Sequence, residues 1–235
     1  EFKSIVPIAE YEDLKSYIDE MVKGAENILW PGKPAYFGKT SGTTSGVKYI
    51  PISKESMPFH IQGARDALLH YVFYSGNAAF LDRKLIFLSG SPALDIKNGI
   101  PTGRLSGIVN HHVPSYLRAN QLPTYQTNCI EDWEEKLAAI VQETYTQRMG
   151  LISGIPPWVQ MFFEQLETQT GKTPMESWPN LSLYVHGGVD FSPYRPIFQE
   201  YFGDKVDLIE TYPASEGFFA YQNTQKEDDL LLLTN

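Results

Sequence analysis

Over residues 9–27 apolar side chains recur at helical spacing, with Leu14, Tyr17, Ile18, Met21, Val22 and Ala25 on one face and charges opposite. That pattern predicts an amphipathic helix. Trp30-Pro31-Gly32-Lys33-Pro34 ends it, because proline and glycine break helical dihedrals. A short strand at 35–37 leads into a Gly/Ser/Thr run at 38–46, and 48–52 reads as a second strand. Ser53, Glu55 and Ser56 mark the start of a helix over 57–74. Residues 84–88 form a short apolar strand, whereas 89–107, rich in Gly, Pro and Ser, read as loop. A second amphipathic helix is predicted over 131–148, with Trp133, Leu137, Ile140, Val141 and Tyr145 on its buried face. Strand and helix then alternate: strand 149–153, helix 157–168 with proline in its first turn, strand 181–185, helix 192–202 and strand 206–211. Further strands are predicted at 218–222 and 230–233.

This alternation indicates an α/β fold whose later sheet is largely parallel and flanked by helices. Ligands of such sheets collect at the carboxyl ends of the strands. Composition changes little in that picture: 42% hydrophobic and 20% charged residues suit an ordinary globular chain. A net charge of −9 argues against an electrostatic grip on nucleic acid or anionic lipid. No apolar run approaches the length of a membrane span. The single cysteine, Cys129, excludes an internal disulfide framework and suits a reducing, cytoplasmic setting. The chain starts at Glu1 without an initiator Met and stops just after the apolar run 230–233. It is therefore expected to be a piece of a longer polypeptide.

The most informative stretch is Thr40-Ser41-Gly42-Thr43-Thr44-Ser45-Gly46-Val47-Lys48. Small residues let successive backbone N–H groups turn toward one anion, and hydroxyls add donors. Seven of the nine residues are Gly, Ser or Thr, which favours an anion loop over an ordinary Ser/Gly hairpin connection. Gly38-Lys39-Thr40 matches the end of a Walker A loop, but Lys33 stands where that motif needs glycine, and a strand follows instead of a helix.

Two further motifs follow. After the strand at 206–211 comes Tyr212-Pro213-Ala214-Ser215-Glu216: an aromatic suited to stacking, a hydroxyl suited to phosphate, and a hard oxygen ligand for Mg²⁺. Between the two, the strand at 181–185 is followed by a turn, His186-Gly187-Gly188, whose glycines permit close approach of a planar group. His111 and His112 are adjacent, a poor arrangement for ligating one metal, and read as loop or packing residues. Arg104 and Arg118 are candidate partners for a carboxylate or phosphate, against the plainer reading of surface arginines. The apolar run 149–158 serves either an acyl pocket or the core.

Taken in order, these motifs resemble those of the luciferase-like adenylate-forming superfamily. The inserted Ser45 and the Lys48-Tyr49-Ile50-Pro51 continuation are more similar to one branch, the auxin-responsive acyl acid-amido synthetases and their bacterial relatives. The final motif is similar to that branch's Tyr-Ala-Ser-Ser-Glu, with Pro213 and Ala214 standing in place of Ala and Ser. The resemblance covers nearly the whole chain. It implies that residues 1–235 belong to a large N-terminal nucleotide- and acyl-binding domain, with a ribose-binding Asp, a catalytic Lys and a C-terminal domain beyond Asn235. The implied chemistry is activation of a small carboxylic acid by ATP and Mg²⁺ to acyl-AMP, then transfer to an amine such as an amino acid. The implied ATP site comprises Thr40, Ser41, Gly42, Thr43, Thr44, Ser45, Gly46, Lys48, Gly187, Gly188, Tyr212 and Ser215, with Glu216 on the metal. Because the chain is acidic, a few cations, backbone N–H groups and the metal must neutralise the phosphates. Two rivals remain: an acyl- or aryl-CoA ligase with the same first step, and a non-catalytic nucleotide-binding module.

Overall fold

A computed structural model describes residues 5–41, 46–226 and 229–234. Two sheets organise them. The smaller has the order β2-β1-β5-β4, from β1 (Tyr36–Ser41), β2 (Val47–Ile52), β4 (Asp95–Lys97) and β5 (Ile100–Gly103). The larger runs β11-β10-β9-β8-β7-β3-β6, from β3 (Lys84–Phe87), β6 (Gln121–Leu122), β7 (Met149–Ser153), β8 (Leu183–Gly187), β9 (Asp207–Ala214), β10 (Gly217–Gln222) and β11 (Leu230–Leu232). From β6 through β9 every pairing is parallel, whereas β10 and β11 add on antiparallel. The expected largely parallel sheet is present, and β3, β7, β8 and β9 open their carboxyl ends on one edge.

Both faces of this sheet are covered, as parallel strands require. One face packs against α6 (Trp133–Thr144), α7 (Pro156–Thr170) and α9 (Arg195–Phe202), burying Ile140, Phe162, Phe163 and Phe198 with Met149 and Ile152 of β7. The other meets α2 (Met57–Ser75), where Tyr71 packs with Leu151, Leu183 and Ile209. Leu151 and Ile152 thus serve opposite layers, as the two-residue strand period dictates. Fully burying one such side chain contributes about 1.5–3 kcal/mol.

Local chemistry sets the helix ends. Ser53 and Ser56 exchange bonds, each backbone N–H donating to the other's hydroxyl at 3.0 Å, and start α2. Gly76, at φ 70°, stops it. Asp132 caps α6 by accepting the Glu135 N–H at 2.8 Å. α7 opens on Pro156-Pro157 and closes on Gly171 in the left-handed region. The short helices are α3 (Leu105–Asn110), α4 (Ser115–Arg118), α5 (Tyr125–Asn128) and α8 (Pro174–Ser177).

Three expectations need correction. The first helix, α1 (Tyr11–Val22), is shorter than 9–27 and buries Ile18 and Met21, while Leu14 and Tyr17 stay largely exposed. Gly24, at φ 103°, lies past its end, and the helix rests on the small sheet along a narrow seam only. The stretch 89–107 is not simply loop: β4 and β5 form a hairpin there, turning through Asn98 and Gly99 at positive φ. Strands of three and four residues are too short to show a period. Tyr145 is 42% exposed, because α6 ends at Thr144 and the chain turns away.

Candidate functional site

A cavity of about 590 Å³ opens along the carboxyl edge of the parallel strands. Phe87 ends β3, Ser153 ends β7, Gly187 ends β8 and Pro213 lies near the end of β9; all four line it. The small sheet closes the opposite side with Lys39 and Thr40 of β1. All three motifs therefore meet one cavity, although more than 170 residues separate Thr40 from Ser215 in the chain.

Their meeting is close. Ser215 and Glu216 form the two-residue turn between β9 and β10, since Ala214 pairs with Gly217. Gly38 of β1 abuts that turn: a carbon added at its Cβ position would lie 3.3 Å from Ser215 Cβ and 3.4 Å from its hydroxyl. At Gly187 an added carbon would lie 2.0 Å from the Thr211 carbonyl oxygen, so no side chain fits between β8 and β9 there. Gly188, at φ 80°, then turns the chain along the cavity wall. Thr211 donates its hydroxyl to the His186 carbonyl at 2.8 Å, closing the seam.

Of the candidate ATP residues, Thr40, Gly187, Gly188 and Ser215 line the cavity. Ser41 ends β1 and Gly46 precedes β2 at φ 82°. Gly42, Thr43, Thr44 and Ser45 lie outside the described residues. Lys48 sits on β2 opposite Thr40, its ammonium 4.8 Å from the Tyr11 ring centroid, and it is not part of the cavity wall. Tyr212 is 54% exposed and its ring leans on Phe219, 5.5 Å between centroids. Glu216 is exposed at the tip of the turn. Among the described residues no three His, Cys, Asp or Glu side chains cluster as a metal site.

His111 donates its Nε2–H to the Pro92 carbonyl (2.7 Å) and His112 Nε2 shares a hydrogen bond with the Tyr36 hydroxyl (3.0 Å), the packing roles expected. Arg118 donates to the carbonyls of His111 and Val113, whereas Arg104 faces the cavity. The run 149–158 does both of its suggested jobs. Met149 and Ile152 are core, while Leu151, Ser153, Gly154, Ile155 and Trp158 line the cavity.

Two lining residues were not foreseen, His60 of α2 and His186 of β8. Both are buried, and Nδ1 of each has no hydrogen-bond partner among the described residues. Burial lowers the pKa of His60; burial and the nearby Arg195 charge push His186 down to about 4. Both rings are neutral at pH 7. The apolar wall of Leu105, Val109, Val113 and Leu117 was also missed, although Leu105, Ile108 and Val109 do carry a helical spacing.

The GH3 family N-terminal domain matches residues 1–121 and 102–207. A protein of Oryza sativa subsp. japonica named "Probable indole-3-acetic acid-amido synthetase GH3.13" is 41% identical over 58 residues, 24% of this chain and 12% of that one. The structure of AtGH3.15 acyl acid amido synthetase in complex with 2,4-DB superposes with TM-score 0.74 at 16% identity, covering 97% of this chain and 50% of that one. A 2-hydroxyisobutyryl-CoA ligase in complex with 2-HIB-AMP and CoA gives TM-score 0.61 at 15% identity, covering 98% and 49%. The chain spans about half the length of these solved structures. At such identities the two superpositions establish a shared fold, that of the N-terminal domain of adenylate-forming enzymes, and the family match goes further: the chain belongs to the GH3 family.

Proposed function

We propose that this domain binds ATP and a carboxylic acid in the one cavity and activates the acid as its acyl-AMP, which the whole protein then passes to an amine such as an amino acid. The observation that carries this reading is the convergence of Lys39 and Thr40 of β1, the His186-Gly187-Gly188 turn and Ser215 on one cavity, part of whose wall is the apolar row Leu105, Val109, Val113 and Leu117. The phosphates would lie against Thr40 to Gly46 and the Ser215 hydroxyl. Adenine would lie along Gly187 and Gly188, where there is no side chain to block a flat ring. Tyr212 and Lys48, the remaining candidates, lie outside this cavity wall.

Glu216 fits Mg²⁺, because that ion is usually held by one or two carboxylates plus substrate phosphates and needs no protein cage. When bound, the ion would supply charge neutralisation at the polyphosphate. The carboxylate oxygen attacks the α-phosphorus and pyrophosphate leaves. The amine nitrogen then attacks the acyl carbonyl, AMP leaves, and the nitrogen gives up its proton. The apolar wall keeps water from the mixed anhydride.

The full-length protein supplied with Mg·ATP, aryl and aliphatic acids, mixed amino acids and coenzyme A is expected to catalyse acid-dependent pyrophosphate exchange and to yield amides by mass. Glu216→Gln should cut the exchange rate by about 10²-fold or more at saturating ATP. Thioesters without amides would instead assign a coenzyme A ligase, and ATP binding without exchange for any acid a non-catalytic module.

A further inference from the structure

Part of the cavity is a trough between α2 and one face of the large sheet. His60, Ala64 and Leu68 line it from a single stripe of the helix. Leu85, Phe87, Leu151, Ser153, Val185 and Gly187 line it from alternate positions of β3, β7 and β8, which is one sheet face. Leu68, Leu85, Leu151 and Val185 also pack with Tyr71, so this is the layer on the α2 side.

His60 is the polar exception on the helix stripe. It is 3% exposed, its Nδ1 is shut off from solvent, and neither ring nitrogen has a hydrogen-bond partner among the described residues. Burial keeps the ring neutral, so it offers one N–H donor and one lone-pair acceptor. Buried polar groups left without a partner are unfavourable, and those that persist call for a ligand or another specific reason. A carbon added at Gly63 would lie 2.5 Å from Phe218 Cδ1, so α2 is seated directly on β10 beside His60, which fixes where the imidazole stands. His186, the other unpartnered imidazole, stacks on Phe191 and so belongs to the opposite layer, next to the proposed adenine turn.

The wall limits what can meet this ring. Among the described residues no Asp or Glu side chain lines the cavity, so a cationic group on a ligand would go unpaired there. The cations in the wall are Arg104 and Lys39, and Lys39 is held by Asp95 at 2.9 Å. A neutral imidazole cannot balance a second anion either. What it suits is a neutral oxygen, and a hydroxyl, which both donates and accepts, satisfies either tautomer. Water is a poorer partner, because it needs about two to four polar neighbours and those beside His60 on the stripe are Ala64 and Leu68.

We infer that His60 is a specificity residue of this trough, and that the acid carries a neutral hydroxyl on an otherwise apolar body, hydrogen-bonded to the His60 ring. The inference rests on the acid-activation reading above and adds to it the chemical class of the acid. His60 acts in recognition and takes no part in the acyl transfer.

The test is calorimetry and acid-dependent pyrophosphate exchange on the full-length protein. The probes are octanoate and 4-phenylbutanoate, each beside a set of monohydroxylated analogues whose hydroxyl is moved one carbon at a time. In wild type at least one hydroxy acid should bind about tenfold or more tightly than its parent. In His60→Phe, which fills the space without a polar atom, the preference should vanish or reverse, and the parent acids should bind more tightly than in wild type. His60→Gln, which keeps a donor and an acceptor, should retain part of the preference, and it carries the comparison if His60→Phe does not fold. A preference undiminished in both variants overturns the inference. So does wild type binding the parent acids as tightly as every hydroxy analogue, which would leave His60 to a bound water. A His60-dependent preference without exchange for any acid would uphold this inference and end the activation reading, whereas no acid binding at all would end both.

Discussion

His186 shows how one side chain ties the site to stability. Its ring is 4% exposed, stacks on Phe191 with centroids 4.1 Å apart, and holds a pKa near 4 against an ordinary value of 6.5. The unfolded chain takes up a proton below about pH 6.5, while the folded chain resists it until about pH 4. Stability from a neutral His186 is therefore complete above pH 6.5 and is lost as pH falls toward 4. Linkage puts the loss at up to about 3 kcal/mol. Urea unfolding at pH 7.0 and pH 4.5 should show a steeper decline for wild type than for His186→Phe, which has nothing to protonate. Equal declines would mean that the buried ring is solvated in the folded state.

At the scale of elements, Trp178 links three helices. It lies just after α8, is 1% exposed, stacks on Phe162 of α7 with centroids 5.8 Å apart, and donates its indole N–H to the Thr144 carbonyl at the end of α6 (3.0 Å). Trp178→Phe keeps a ring but removes one of the two hydrogen bonds to that carbonyl, which still accepts from the Gln147 N–H at 2.9 Å, at a cost of about 0.5–1.5 kcal/mol. The denaturant midpoint should fall accordingly, and the last turn of α6 should exchange its amide hydrogens faster than the first. Elements of this length were legible in the sequence because they repeat a period often enough to be seen: α2, α6, α7 and the strands from β7 to β10 all appear near their expected positions. The β4–β5 hairpin was not legible, since its register comes from pairing with β1, far away in sequence. The same limit applied to the site. Thr40, Gly187, Gly188 and Ser215 could be picked out as small residues in ordered motifs. His60 had no local signal, and His186 stood out only as the neighbour of Gly187 and Gly188, because what makes both of them lining residues is the sheet and helix that bury them.

On the scale of the whole molecule, the site depends on how the small sheet meets the large one, and Gly38 against Ser215 is where they touch. Flanking the same point, β1 leads into the Gly/Ser/Thr segment and the β9–β10 turn carries Glu216. Changing the spacing between sheets should therefore separate the two halves of the proposed nucleotide site while leaving each sheet intact. Gly38→Val places carbon where 3.3 Å to Ser215 Cβ and 3.6 Å to the Ile50 carbonyl leave no room for branches. Overpacking of this kind costs about 1–3 kcal/mol. Mg·ATP affinity should fall by about tenfold or more, since the proposed nucleotide site draws on both sides of the seam. Adding Ser215→Gly to Gly38→Val removes the colliding side chain and should recover much of the stability, but only part of the affinity, because the Ser215 hydroxyl goes with it. That non-additivity is what a direct contact between two sites produces. Denaturant unfolding and calorimetry on the two single variants and the double variant measure both quantities. Strictly additive stability changes would show that the sheets are held apart by something other than this contact, and unchanged ATP affinity in Gly38→Val would move the nucleotide away from the seam.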